Sequence, residues 1–187
     1  MGAIGWVILA VVVIVVIAAI AWAMMQRRRT TTLRDTFGSE YDRTMQRTGD
    51  RRAAESELDE RRARREGLDI RPLDPTARQR YASRWNDVQS RFVDDPRGAL
   101  DEADQLVTVV MGERGYPMDD FDDRASTVSV DHPDVVENYR AAHTISQRAT
   151  GSMGASTEEM RQGFVHYRAL FAELLQDGQP SHLREAR

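Results

Sequence analysis

The sequence of 187 residues contains no cysteine and no lysine. The absence of cysteine excludes disulfide bonds, thiolate metal ligands and a cysteine nucleophile. The absence of lysine excludes a Schiff-base lysine and the lysine of a Walker phosphate-binding loop. All 26 basic residues are therefore arginine, a bias typical of GC-rich coding sequences.

Segments that alternate apolar and polar residues, as half-buried strands do, are not evident, and the sequence shows no internal repeat. Four amphipathic segments instead have apolar residues at helical spacing. The predicted fold class is therefore all-α: an N-terminal transmembrane helix, a charged helical stalk, and a soluble bundle of about four long helices.

One long apolar run is present, from Ile4 to Met25, and it carries no charge. As a helix its 22 residues would extend roughly 33 Å, enough for a hydrocarbon core about 30 Å thick. Trp6 and Trp22 lie near its two ends, where indole rings favour the headgroup region. The run is longer than a signal-peptide core, so residues 1–29 are predicted to be an uncleaved membrane anchor; a cleaved signal peptide, and hence an exported domain, is the alternative.

Arginines 27, 28 and 29 follow the apolar run directly. The positive-inside rule places them in the cytoplasm and the short N-terminus outside, so we expect a single-pass protein of the cell membrane with a cytoplasmic C-terminal domain. Residues 27–66 hold 12 arginines and 9 acids, whereas residues 67–187 hold 14 arginines and 21 acids. The basic part is thus close to the expected bilayer, and the acidic distal part argues against nucleic-acid binding.

Residues 30–73 are predicted to be a charged helical stalk and linker. Leu33, Phe37, Tyr41 and Met45 form one narrow apolar stripe, which Gly38 and Gly49 could interrupt. From residue 50 to 66 the chain is rich in arginine and acids at i,i+4 spacing, which predicts a solvated helix surface or one face of a helical pair. The basic stretch 61–65 is interpreted as part of that solvated face.

Residues 74–176 are predicted to form the bundle, and residues 177–187 a polar tail. Asp74-Pro75 and Asp95-Pro96 are typical helix starts, and Ser156 with Glu159 fits a capping box. The apolar faces that follow are Ala77, Tyr81, Trp85, Val88 and Phe92; Leu100, Ala103, Val107, Val110 and Met111; Val135, Val136, Tyr139, Ala142 and His143; and Met160, Phe164, Tyr167, Phe171 and Leu174.

No catalytic, cofactor-binding or metal-binding residue is predicted. The four histidines lack the spacing of helical metal sites, so His143 and His166 are interpreted as core histidines that could still meet in space. The acidic cluster at 119–123 does not follow the order of an EF-hand loop and is interpreted as a helix start. Turn-rich segments around 114–117 and 129–133 either are turn chemistry or line an interaction surface, for which the candidate residues are Arg114, Tyr116, Phe121, Asp131 and His132.

Five stretches resemble proteins of high-GC Gram-positive bacteria (actinobacteria): Phe37–Arg43, Phe92–Pro96, Arg114–Pro117, Ser129–Pro133 and His166–Phe171. The family they resemble is a set of uncharacterised helical proteins that are membrane-bound or secreted. The resemblance implies a bacterial source and a single anchor, and it implies no functional residue or cofactor.

The sequence therefore favours a membrane-anchored interaction or assembly module whose partners are the lipid bilayer and an unidentified protein. One alternative is a small enzyme or ligand-binding bundle that uses His143 or His166. A second alternative is a protein that binds anionic lipid or the cell envelope through Arg27–Arg29 and the stalk.

Overall fold

The computed structural model describes residues 3–151 and 154–176, and this part of the chain is all-helical, without strands. The predicted all-α class is confirmed. The helices are α1 (Ala3–Phe37), α2 (Ser39–Thr48), α3 (Arg51–Glu66), α4 (Pro75–Arg91), α5 (Pro96–Arg114), α6 (Phe121–Asp131), α7 (Val136–Thr150) and α8 (Thr157–Leu175).

Helix α1 continues without a break from the apolar run into the charged segment. Its 35 residues correspond to a length of about 52 Å. Within the described chain it is the one helix long and apolar enough to cross a membrane, a test that a signal sequence also passes. From Val11 to Met25 its side chains are exposed, because no other helix covers them.

The predicted stalk folds back on itself twice. Gly38 and Gly49 both have positive φ (+50° and +68°) and end a helix, so the chain turns at each of them. The result is a three-helix unit, here called the stem, made of residues 26–37 of α1 with all of α2 and α3. The stem has its own small apolar core, formed by Leu33, Phe37, Tyr41 and Leu58, with Met45 and Val130 packed against it.

Helices α4 to α8 form the bundle, and the predicted start signals act as expected. The Asp74 carboxylate accepts hydrogen bonds from the backbone N–H groups of Thr76 and Ala77 at 2.8 and 2.9 Å. Asp95 accepts from the N–H of Gly98 at 2.9 Å, and Ser156 and Glu159 form the predicted capping box. Such caps satisfy donors that have no partner within the helix.

The bundle core is built around aromatic side chains from α4 and α8. The Trp85 ring stacks on Phe171 with centroids 4.5 Å apart and lies 4.9 Å from the ring of Phe164. Tyr139 of α7 and Tyr167 of α8 are fully buried beside them in the same core. Burial of each large side chain contributes roughly 1.5–3 kcal/mol, so this core accounts for much of the bundle's stability.

A close backbone approach connects the end of α5 to the linker between stem and bundle. Gly115 ends α5 with φ +94°, and the N–H of Arg71 donates to the carbonyl of Arg114 at 2.9 Å. A Cβ at position 115 would overlap the backbone carbonyl oxygen of Asp69, whereas a Cβ at Gly49 would meet nothing within 4 Å.

Replacing Gly115 with alanine should therefore lower the free energy of unfolding by about 3 kcal/mol, since backbone strain and steric overlap add. The matched change Gly49→Ala introduces strain alone and should cost about 1–2 kcal/mol. Urea unfolding of the two variants, followed by circular dichroism, provides the comparison. Equal losses would show that the Asp69 backbone moves away at little cost.

Candidate functional site

A buried carboxylate joins the stem to the bundle. The side chain of Glu40, on α2, is only 1% exposed. Arg61 of α3 donates to its Oε1 at 2.9 Å, and Arg140 of α7 donates to the same oxygen at 3.0 Å and to Oε2 at 2.5 Å. One carboxylate is thus held by two guanidinium groups, one from the stem and one from the bundle.

Further charges of alternating sign extend this junction. Arg61 also pairs with Glu57 at 2.5 Å, and Glu57 pairs with Arg47. Glu137 accepts from Arg140 at 3.2 Å and from Arg43 at 2.8 Å. All of these groups except Glu137 line an open polar cleft of about 330 Å³ between stem and bundle. Its lining residues are Glu40, Arg43, Arg47, Glu57, Arg61, Arg64, Asp122, Asp123, Ser126 and Arg140. Because five arginines face four acids there, the charge is nearly balanced within the protein.

A second contact between the stem and α6 lies close by. Arg65 Nε donates to both carboxylate oxygens of Asp131, at 2.6 and 2.9 Å. The hydroxyl of Tyr116 donates to Asp131 Oδ2 at 3.0 Å. Burial, followed by the nearby negative charge of Asp131, raises the pKa of Tyr116 far above its usual value. The hydroxyl therefore stays protonated and remains a hydrogen-bond donor to this ion pair.

The Glu40 junction should weaken in acid. Burial by itself raises the pKa of Glu40, but hydrogen bonds and charges from Arg140 and Arg61 outweigh it and hold the pKa below the ordinary value of 4.5. A carboxyl whose pKa is lower in the folded state stabilises the fold above its unfolded pKa, and this contribution is lost as pH falls through the folded pKa.

We expect the difference in thermal midpoint between the wild type and Glu40→Gln to be constant from pH 7 to about pH 5 and to shrink below about pH 4.5. Scanning calorimetry of both proteins in detergent, at pH values from 7 to 3, measures it. A difference that does not change with pH would mean that the carboxylate charge contributes nothing to the junction.

A separate polar cluster lies inside the bundle, around Asp104 of α5. The hydroxyl of Tyr167 donates to Asp104 Oδ1 at 2.5 Å, and His143 Nδ1 lies 3.9 Å from the same oxygen. The His143 ring stacks on Phe121 with centroids 3.7 Å apart. Burial raises the pKa of Asp104, but its interactions with His143 and Tyr167 outweigh this and lower it, so the group is an ionised acceptor.

The other described histidines have separate surroundings. His166 Nδ1 is 2.8 Å from the side-chain oxygen of Asn138, and His132 is 4% exposed with Nδ1 3.7 Å from Glu173 Oε2. His143 and His166 share no hydrogen-bond partner, although the sequence allowed them to meet. Within residues 3–151 and 154–176, no group of three or more His, Asp or Glu side chains is placed to hold a metal ion. His182 lies outside the described residues.

The structure encloses three of the five residues of the predicted interaction surface. Arg114, Tyr116 and His132 are 3%, 3% and 4% exposed, so they cannot line a free surface. Arg114 donates to the backbone carbonyl oxygens of Leu174 and Arg71, at 3.0 and 3.3 Å, because the end of α5 is enclosed by its neighbours. Asp131 accepts hydrogen bonds from Arg65 and Tyr116, and Phe121 is half-buried against the ring of His143. The contacts of Arg114, Tyr116 and Asp131 are thus made within the fold.

The residues predicted at the membrane end are differently placed. Trp22, Arg27 and Arg28 are exposed, and Arg29 donates to Asp59 of α3 at 2.8 Å. The side chain of Trp6 lies outside the described residues. Glu55 was not among the predicted residues, but its side chain is only 1% exposed and accepts hydrogen bonds from Thr30 at 2.6 Å and Gln26 at 3.1 Å. Its regular i,i+4 pairing with Arg51 predicted an exposed position.

In comparisons with known proteins, the chain matched no protein-family model, no curated protein and no solved structure.

Proposed function

We propose that this chain is a membrane-anchored helical module that holds a protein-binding bundle in a fixed orientation at the membrane, for interaction or assembly. The main observation in support is the way in which the stem is joined to the bundle at Glu40. An exposed apolar helix continues into the stem, and the stem is fastened to the bundle by the buried Glu40–Arg61–Arg140 contacts. A flexible linker would serve for mere tethering, whereas this junction sets orientation.

The proposed topology is a retained single span with its N-terminus outside and the bundle in the cytoplasm. Arg27, Arg28 and Arg29 support this direction, since positive charge next to a span favours the cytoplasmic side. Protease added outside intact spheroplasts should leave the bundle uncut and should digest it once the membrane is permeabilised. Digestion without permeabilisation would overturn the orientation and favour the exported alternative.

The partner-binding role is tested by photo-crosslinking in cells. A photoreactive amino acid is placed at Val109 of α5 or Val165 of α8, which are 45% and 39% exposed on helices that pack together. Exposed Arg84 of α4 is the control position. We expect one dominant adduct from Val109 or Val165, and none at that mass from Arg84.

A second control separates the bundle from the span. Replacing Ile4–Met25 with an unrelated Leu/Ala span should preserve the adduct, because the proposed contact is made by the bundle. Loss of the adduct in this variant would assign the partner to the membrane span. No adduct from any position, or the same diffuse labelling from all three, would contradict the proposed function.

A further inference from the structure

A cleft lies where the apolar part of α1 ends. It has a volume of about 420 Å³ and opens to solvent between α1 and the beginning of α3. Its lining combines an indole, two arginines and short polar side chains: Trp22, Ala23, Gln26, Arg27, Thr30, Thr31 and Arg51. The two arginines come from segments 24 residues apart in sequence, so the fold is what brings them together.

The direction of α3 determines where this cleft lies along α1. Glu55 accepts from Gln26 and Asp59 accepts from Arg29, so contacts on α3 advance in the same direction as contacts on α1. Helix α3 therefore runs parallel to α1, away from the span. Arg51, one turn before Glu55, lies level with Trp22 and Ala23, and the Gly49 turn faces the side of the bilayer.

The charges in the cleft are not matched by acids at its surface. Arg27 forms no ion pair with any residue of the described chain. Arg51 lies 3.7 Å from Glu55, but that carboxylate is buried and already accepts from Gln26 and Thr30. Both guanidinium groups thus retain donors for an anion, and guanidinium is well suited to bind phosphate oxygens in pairs.

We propose that this cleft binds the headgroup of an anionic phospholipid, with Arg27 and Arg51 on the phosphate. The source is the bilayer, because the cleft opens at the end of the exposed apolar helix and Trp22 lies beside it at the depth where indoles contact lipid. The site goes beyond the proposed protein-binding role and rests on it only in requiring α1 to be inserted.

A bound headgroup would connect the turn between α2 and α3 to the membrane surface. The stem would then have two attachments to the bilayer: the span itself and the Arg51 end of α3. Two attachments restrict rotation of the stem about the span in a way that one cannot. The bound lipid and the buried Glu40 junction would therefore both favour one orientation of the bundle relative to the membrane.

The experiment uses the full chain in nanodiscs of 90% phosphatidylcholine and 10% phosphatidylglycerol. Native mass spectrometry after release from the disc counts the phosphatidylglycerol molecules that remain bound. Arg27→Gln and Arg51→Gln should each weaken retention about tenfold, and the double variant roughly 100-fold, because each change removes charge-assisted hydrogen bonds from a guanidinium group to the phosphate. Arg28→Gln is the matched control, since Arg28 carries the same charge next to Arg27 but does not line the cleft.

The outcomes are distinct. Specific loss with Arg27→Gln and Arg51→Gln, at unchanged helix content, supports the site. An equal loss with Arg28→Gln means diffuse attraction to a basic surface and overturns it. Displacement of the lipid by millimolar inorganic phosphate would assign the cleft to a free anion instead. Flotation with pure phosphatidylcholine vesicles tests insertion of α1 separately, so a protein that floats but retains no phosphatidylglycerol contradicts only the lipid site.

Discussion

Replacing Arg61 with methionine should lower the free energy of unfolding by about 3 kcal/mol, because it removes one partner of a buried carboxylate. Arg61 is 9% exposed at its side chain, and its loss leaves Glu40 with Arg140 alone and deprives Glu57 of a partner. Truncating one side of a buried ion pair is typically more costly than the net value of the pair, since the remaining charge is left desolvated. Urea unfolding of the full chain in detergent measures the loss.

A neighbouring residue supplies the control for this prediction. Arg62 lies next to Arg61 on α3, is 43% exposed and pairs with Asp59 and Glu66 at 3.5 and 3.7 Å. Arg62→Met should change stability by less than about 0.5 kcal/mol, as exposed ion pairs contribute little. In a Glu40→Leu background, Arg61→Met should cost much less than in the wild type. If Arg61→Met cost no more than Arg62→Met, the Glu40 junction would have no energetic importance.

Trp85→Ala should cost about 4 kcal/mol, the largest effect that we expect from a single core substitution. The Trp85 ring is packed between α4 and α8 against Phe164 and Phe171, and the residue is 5% exposed. Removing the indole loses the favourable free energy of burying it and leaves a cavity that the surrounding rings cannot close. Because whole domains are stable by only about 5–15 kcal/mol, the bundle of this variant should unfold at a much lower temperature.

Two further variants separate cavity formation from loss of an apolar side chain in general. Trp85→Phe retains a stacking ring and should cost roughly half as much as the alanine variant. Val93→Ala removes apolar atoms from a residue that is 85% exposed and should have almost no effect. Near-ultraviolet circular dichroism and the thermal midpoint report on both. A small effect of Trp85→Ala would indicate that α4 is not held through this aromatic cluster.

The bundle could be predicted from the sequence because its signals are local and periodic. Tyr81, Trp85 and Val88 repeat at helical spacing and are buried, as expected. Asp74-Pro75 and the Ser156–Glu159 box act within one helical turn, so no knowledge of the tertiary fold is needed to interpret them. The acidic cluster at 119–123 lies at the start of the short helix α6, as interpreted from the sequence, and α6 joins the four long helices of the bundle.

The stem could not be predicted as well, since its stabilising contacts are distant in sequence. Glu40 and Arg140 are 100 residues apart, and Arg65 and Asp131 are 66 apart. A charged residue in a run of charges has no sequence signal that marks it as buried, because only its partner in space reveals that burial is compensated. The same limit applies to the cleft at Arg27 and Arg51.

Three of the candidate surface residues, Arg114, Tyr116 and His132, are buried for a related reason. Gly, Pro, Asp and His in turn segments are common both at binding loops and at enclosed helix ends. Here Tyr116 and Arg114 close the end of α5 against Asp131 and the backbone of α8, so the special residues serve the chain itself.

In the proposed topology, the unbroken path of α1 makes it a rigid arm that pivots within the bilayer. Phe37 lies about 34 Å along the helix from the middle of the proposed span, so a tilt of about 20° would carry it sideways by roughly 12 Å. Membrane thickness, which determines how far an apolar span must tilt, would thereby set the lateral position of everything beyond Phe37. A thinner bilayer would tilt α1 further and bring the bundle closer to the membrane surface, and a thicker bilayer would have the opposite effect.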